Sequence, residues 1–187
     1  MINAMELKRL RREILYRGRV IDLFVDEVQY PGGNRGIREI AHHPGGAVAA
    51  PILDDGRLLF VRQLRYPFGR RLLELPAGQL DNGEDPMKCA ARELEEETGW
   101  IAERWEKLTS IYTTPGFCDE ELHLFLATGL RESPAGHNRT EGEFSLSVET
   151  HLLSEALEMI EQGEIRDAKT ICALLLVARR LGRTRWG

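Results

Sequence analysis

The segment Arg92-Glu93-Leu94-Glu95-Glu96-Glu97-Thr98-Gly99 constrains this chain more than any other. Upstream of it, Asp85 is a good helix N-cap and Pro86 suits the first helical position; downstream, Gly99 is a standard C-terminal stop. A helix over residues 85–98 is therefore expected. At 3.6 residues per turn, Met87, Ala90, Ala91 and Leu94 fall on one apolar stripe, which should face a sheet. Glu93, Glu96 and Glu97, spaced i, i+3 and i+4, share another face. Like charges at that spacing cost roughly 0.2–0.5 kcal/mol per pair on an exposed helix and more if the face is partly buried. Lys88 and Arg92 offset part of the repulsion. Two readings stand at this point: a solvated acidic face, or carboxylates that hold a hard cation. Glu95 is expected simply to face water.

The preceding loop, Gly78-Gln79-Leu80-Asp81-Asn82-Gly83-Glu84, bears on that choice. Mg2+ takes oxygen ligands at about 2.0–2.1 Å and keeps several waters, so carboxylates one helical turn apart suit it. Gly78 frees the neighbouring backbone, including the Ala77 carbonyl, to approach an ion. Composition narrows the classes further. A net charge of -5 argues against a phosphate-backbone binder, so no nucleic-acid partner is expected. The three cysteines, Cys89, Cys118 and Cys172, are far apart and form no CxxC pair, which supports neither a disulfide scaffold nor a zinc ribbon. The apolar run Ile171–Ala178 is too short for a bilayer span, which takes about 20 residues. The first residues lack the long apolar region of a signal peptide. A cytoplasmic protein without a membrane partner is the expectation.

Along the 187 residues, strand and helix patterns mix without a regular βαβ alternation, which predicts an α+β fold. Two apolar runs flank PGGNRG at residues 31–36 and predict one hairpin; two more flank Asp54-Asp55-Gly56 and predict a second. A short strand is expected at Leu72–Pro76, others at residues 107–114 and 122–130, and one near residues 145–152. Ser154 is the expected cap of a helix ending at Gln162, and a last helix is expected over residues 167–181. Residues 1–43 read as a separate two- or three-stranded element, too small to bury much by itself and suited to dimerisation; residues 44–187 read as the main domain.

Residues 78–100, GQLDNGEDPMKCAARELEEETGW, resemble the Nudix box, G-x5-E-x7-R-E-U-x-E-E-x-G-U, where U is bulky and apolar. Gly78, Glu84, Arg92, Glu93, Leu94, Glu96, Glu97, Gly99 and Trp100 fill its positions. The resemblance implies a Nudix α/β/α sandwich with a mixed sheet, and cleavage of a nucleoside diphosphate linked to another group, dependent on Mg2+ or alternatively Mn2+. It implies that Glu93 and Glu97 are metal ligands together with the Ala77 carbonyl. Glu96 is a ligand or a neighbour of the ligands, and Arg92 orients the carboxylates. Glu84 supports the loop.

Three further segments resemble the ADP-ribose pyrophosphatase branch of that family: Arg62-Gln63-Leu64-Arg65-Tyr66, Thr114-Pro115-Gly116-Phe117-Cys118-Asp119-Glu120, and Gly163–Thr170. The implied substrate is ADP-ribose, giving AMP and ribose 5-phosphate. Arg65 and Gln63 are the expected diphosphate-side contacts, because the rigid guanidinium fork matches phosphate oxygens. Glu120, beside Gly116, can accept from ribose hydroxyls. Phe24 and Tyr66 are both candidates to stack on adenine, and the sequence does not choose between them. The branch places a general base on a late loop in an E-x-E pattern, which here is Glu141-Gly142-Glu143, with Glu141 as base and Glu143 as an auxiliary metal ligand. A homodimer is implied. The rival readings are a Nudix enzyme for a GDP-sugar or other nucleotide sugar, and a non-catalytic ADP-ribose sensor. A calcium-binding module is a poor fit, because no EF-hand pattern occurs.

Overall fold

The computed structural model describes residues 7–137 and 146–182. The chain divides into two compact units. One holds the residues up to Gly45 with Tyr112–Glu121; the other holds Gly46–Ile111 and the residues from Leu122 onward.

In the first unit, β1 (Lys8–Arg17), β2 (Asp22–Gln29) and β3 (Arg35–His42) form an antiparallel sheet in the order β1-β2-β3. The β2–β3 turn is the PGGNRG hairpin, with Gly33 at φ 87°, a left-handed conformation that glycine takes without strain. Strand β1 escapes sequence reading because it is exposed along its whole length and shows no alternation. Tyr112–Glu121 joins this unit through hydrogen bonds from Ala41 N to Phe117 O (2.8 Å) and from Asp119 N to Ala41 O (3.2 Å).

The second unit is layered around β4 (Gly46–Pro51), whose residues are all buried. A strand covered on both faces reads as a continuous apolar run, and this one is GAVAAP. It lies between β7 (Ala77–Gln79), antiparallel, and β9 (Glu121–Glu132), parallel, in a mixed sheet of order β7-β4-β9-β8, where β8 is Trp100–Tyr112. Val48 and Ala50 face one apolar cluster together with Leu58, Phe60, Leu73 and the helices α2 (Leu153–Glu161) and α3 (Ala168–Arg180). Ala47 and Ala49 face the other with Cys89, Ala90 and Leu94 of helix α1 (Pro86–Thr98). The alanines are small, which lets α1 lie close to β4. A second antiparallel sheet, β10-β5-β6, comprises β5 (Arg57–Arg65), β6 (Arg70–Glu74) and β10 (Ser147–Leu152). This unit is a mixed α+β sandwich. Among the described residues, no helix is long and apolar enough to cross a membrane.

Three expectations need correction. The Asp54-Asp55-Gly56 turn does form, but β4 and β5 pair only at an Ile52–Leu58 bridge and then part into different sheets. Burial of β4 on both faces recruits β7 and β9 as its partners instead. Helix α2 starts after Leu152, whose amide donates to Glu155 Oε2 (2.9 Å), so Ser154 is not its cap. On α1 the buried face is turned relative to the expected stripe: Met87 is 42% exposed, while Glu93 and Glu97 are buried with Ala90 and Leu94.

Candidate functional site

Helix α1 starts and stops where local chemistry dictates. Asp85 accepts hydrogen bonds from Met87 N (3.0 Å) and Lys88 N (3.2 Å), Pro86 takes the first position, and Gly99 closes the helix at φ 76°. The phase of the helix sets the chemistry. Glu93 is 8% and Glu97 2% exposed, one turn apart. A solvated acidic face is thereby ruled out for these two, because a buried carboxylate is costly unless charge and hydrogen bonds balance it.

Part of that balance is Arg92. Its Nη1 donates to Glu93 Oε1 (2.6 Å) and Glu96 Oε2 (3.1 Å), while Nε and Nη2 form a fork with Glu84 at 3.1 Å on each side. Nη2 also reaches the Gln79 carbonyl (3.3 Å). One guanidinium thus touches three carboxylates. The fork from Arg92 pushes the Glu84 carboxyl down to about 2, and the Arg92 pKa rises in return, chiefly through Glu84. Glu84 in turn accepts from Asp81 N (3.0 Å), which closes the loop before the helix. Burial pushes the Cys89 thiol up to about 12; it donates weakly to the Gly78 and Gln79 carbonyls and behaves as a packing group.

Strand β7 brings the loop backbone against the helix. Ala77 N donates to Glu97 Oε2 (3.1 Å). At Gly78 an added β-carbon would lie 2.5 Å from Glu93 Oε2 and closer still to the rest of that carboxylate. Only glycine leaves room for Glu93 there. Glu84, Glu93 and Glu96 thus surround one guanidinium, and Glu97 lies one turn from Glu93 against the Ala77 amide, so the side chains gathered here offer oxygen only. That set matches a hard divalent cation such as Mg2+ and suits soft metals poorly. Among the described residues, no three His, Cys, Asp or Glu side chains already converge as a cation cage. Here the carboxylates are spread around Arg92.

The expectation for Glu95 fails. It accepts from Ser133 Oγ (2.5 Å), and Ser133 N donates to Gly99 O (2.7 Å), so Glu95 ties the end of α1 to the segment after β9.

The ends of β5 and β6 and the start of α3 share a network that the sequence did not reveal. Glu74, 2% exposed, receives the Arg65 fork (Nε at 2.7 Å, Nη2 at 2.6 Å) and Lys169 Nζ. Lys169 also pairs with Asp167 Oδ1 (2.9 Å). Asp167 Oδ2 accepts from Thr170 Oγ1 (2.6 Å), whose oxygen accepts from Leu75 N (2.9 Å). Arg65, expected at the diphosphate, thus has its Nε–Nη2 edge committed to Glu74. Burial raises the Glu74 pKa, but Arg65 and then Lys169 outweigh it, so the group titrates below its ordinary 4.5. Its ionised form is favoured by folding. The associated stability is present in full above pH 4.5 and is lost as pH falls through the lowered value. Glu74→Gln should lower unfolding free energy by about 3–5 kcal/mol at neutral pH, because it leaves Arg65 without its carboxylate and Lys169 with Asp167 alone. It should also flatten the loss of stability below pH 4.5, read from urea unfolding across pH.

The remaining candidates fall in both units. Gln63 is half-buried on β5, and Tyr66, in the 3-10 turn Tyr66–Phe68, is 92% exposed. Phe24, Gly116 and Glu120 belong to the N-terminal unit. There the Phe24 ring already carries Arg12 at 4.5 Å and a stacked His42 at 5.5 Å, and Glu120 pairs with His43 (3.3 Å). Tyr66 is the more open of the two aromatics. Glu141 and Glu143 lie outside the described residues.

Comparison with known proteins bears on the family and the fold. The family model for the NUDIX domain matches residues 43–174. An ADP-ribose pyrophosphatase of Bacillus subtilis is 41% identical over 92% of this chain and 93% of its own length. A methanol dehydrogenase activator of Bacillus methanolicus is 41% identical over 90% of this chain and 91% of its own. The crystal structure of an ADP compounds hydrolase superposes with a TM-score of 0.82 at 21% identity, over 96% of this chain and 97% of that one, a likeness of fold.

Proposed function

The chain belongs to the NUDIX domain family, and on that premise we propose that it hydrolyses the diphosphate of ADP-ribose, releasing AMP and ribose 5-phosphate. One observation carries the chemistry: Glu93 and Glu97 are buried one turn apart, against a loop that only glycine at 78 can close over them. The substrate follows from the RQLRY, TPGFCDE and GEIRDAKT segments. It follows also from 41% identity to an ADP-ribose pyrophosphatase along nearly the whole chain.

Glu93, Glu97 and the Ala77 carbonyl would hold Mg2+, or Mn2+, with Glu96 and Glu143 beside them. When bound, the metal neutralises diphosphate charge and lowers the pKa of water. The chain's own groups do the rest. Arg92 fixes the rotamers of Glu93 and Glu96 through its Nη1 hydrogen bonds. Glu97 is aimed by the Ala77 amide. Glu141 accepts the proton of the attacking water. By their motifs, Arg65 and Gln63 are the residues assigned to the diphosphate, Glu120 and Gly116 those assigned to the ribose, and Tyr66 or Phe24 the one assigned to adenine.

The enzyme works as a homodimer, with residues 1–43 as the dimerising element attached to a catalytic domain of residues 44–187. In support, β1 exposes Leu10, Ile14, Leu15 and Tyr16, apolar residues that a second copy would cover. Three free cysteines fit the reducing cytoplasm. A turnover panel of ADP-ribose, GDP-sugars, NADH and dinucleoside polyphosphates tests the substrate. ADP-ribose should give the highest kcat/KM by at least about tenfold, the size of one good polar contact. A GDP-sugar in first place would replace this reading with its nearest rival, and binding of ADP-ribose without cleavage would make the chain a sensor.

A further inference from the structure

We propose that Lys169 is a positioning residue for substrate binding: by sharing the charge of Glu74, it leaves Arg65 able to attract the diphosphate. The inference rests on the diphosphatase reading and goes beyond its residue assignments.

The placement of Lys169 needs a reason. It is the second residue of α3, where the helix end is positive and a cation is unfavourable. The cap of that helix is already supplied by Asp167, bonded to Thr170 N (3.0 Å). The Lys169 side chain is only 12% exposed, and it reaches back from α3 to Glu74 on β6 and to Asp167. Helix α3 gains nothing from this cation; the groups that gain are the two carboxylates.

Charge decides what happens without it. Arg65 and Lys169 balance Glu74 and Asp167, two cations against two carboxylates. Arg65 feels Glu74 first, through the fork, and then the fields of Asp167 and Glu97. Glu97 belongs to the acidic face of α1, so this network sits within electrostatic reach of the proposed catalytic centre. Removal of Lys169 leaves a surplus negative charge beside a site meant for a substrate diphosphate. It also leaves the Arg65 charge wholly absorbed by its own carboxylates. The geometry of Arg65 itself need not change, because its fork to Glu74 stays intact.

The test is a charge-compensation series read by kcat, KM and thermal midpoint. Lys169→Met should raise KM for ADP-ribose about tenfold, the size of one charge at a partly screened distance, with kcat within about threefold of wild type. Lys169→Met with Asp167→Asn restores neutrality and should bring KM back to within about threefold, since Asn caps a helix as well as Asp. A purely structural ion pair predicts something else: a lowered midpoint with KM unmoved, or a raised KM that Asp167→Asn does not rescue. Either result overturns the proposal. Should Lys169→Met fail to fold, Asp167→Asn alone gives a surplus positive charge and should lower KM; an unchanged or higher KM overturns the proposal. Calorimetric titration with ADP and Mg2+ keeps the two readings apart. A wild type that binds ADP but leaves ADP-ribose intact refutes the activity. The loss of ADP affinity in Lys169→Met still decides the role of Lys169.

Discussion

Glu97→Gln should cut turnover by on the order of 10²–10³-fold or more while the protein stays folded, the scale for removal of one preorganised charge-stabilising group. The side chain is 2% exposed and accepts from Ala77 N. An amide oxygen can accept the same hydrogen bond, so the contact to β7 survives the change. What is lost is one of the two buried negative charges on this face of α1. The variant should melt no lower than wild type, because a like-charge neighbour of Glu93 has gone. Activity and stability therefore move apart. A variant with near-normal kcat removes Glu97 from the chemistry; one that unfolds makes it a structural residue.

Gly78→Ala is expected to have the second large effect, through displacement instead of charge. The new β-carbon would occupy the position of the Glu93 carboxylate. A carboxylate is the far end of a flexible side chain and can swing away, so the fold should lose only about 1–3 kcal/mol. Glu93 then leaves its place beside Gly78 and pulls at Arg92. A misplacement near 1 Å at a reacting centre costs about 10²-fold, and turnover should fall by at least that much. Urea unfolding and steady-state kinetics on the same preparation separate the two losses. Wild-type turnover in the alanine variant would show that Glu93 works from another position.

These two variants also mark what could be read from the sequence. The ends of α1 were legible because Asp85, Pro86 and Gly99 act locally. The rotation of its buried face was not: Ala47 and Ala49 of β4, some forty residues upstream, decide that Glu93 and Glu97 face inward and Met87 outward. The turn at Asp54-Asp55-Gly56 was legible for the same local reason, but not the parting of β4 and β5 into two sheets, which follows from burial of β4 on both faces. Among the site residues, spacing alone put Glu93, Glu96 and Glu97 on one helix face; their roles came from the resemblance to the Nudix box. The Glu74–Lys169 pair could not, because its partners stand 95 residues apart and meet only when α3 packs behind β6. Glu95 looked like a surface charge because its partner, Ser133, lies 38 residues on in sequence and close only in the fold.

The central claim is that a buried carboxylate helix cleaves the diphosphate of ADP-ribose with a divalent cation. Product analysis on ADP-ribose, with Mg2+, with chelator, and with Mg2+ restored, tests it most directly. The account predicts equal amounts of AMP and ribose 5-phosphate with Mg2+, no products under chelation, and full recovery on restoring the ion. The absence of AMP with Mg2+ present, or AMP released at the same rate under chelation, would contradict it.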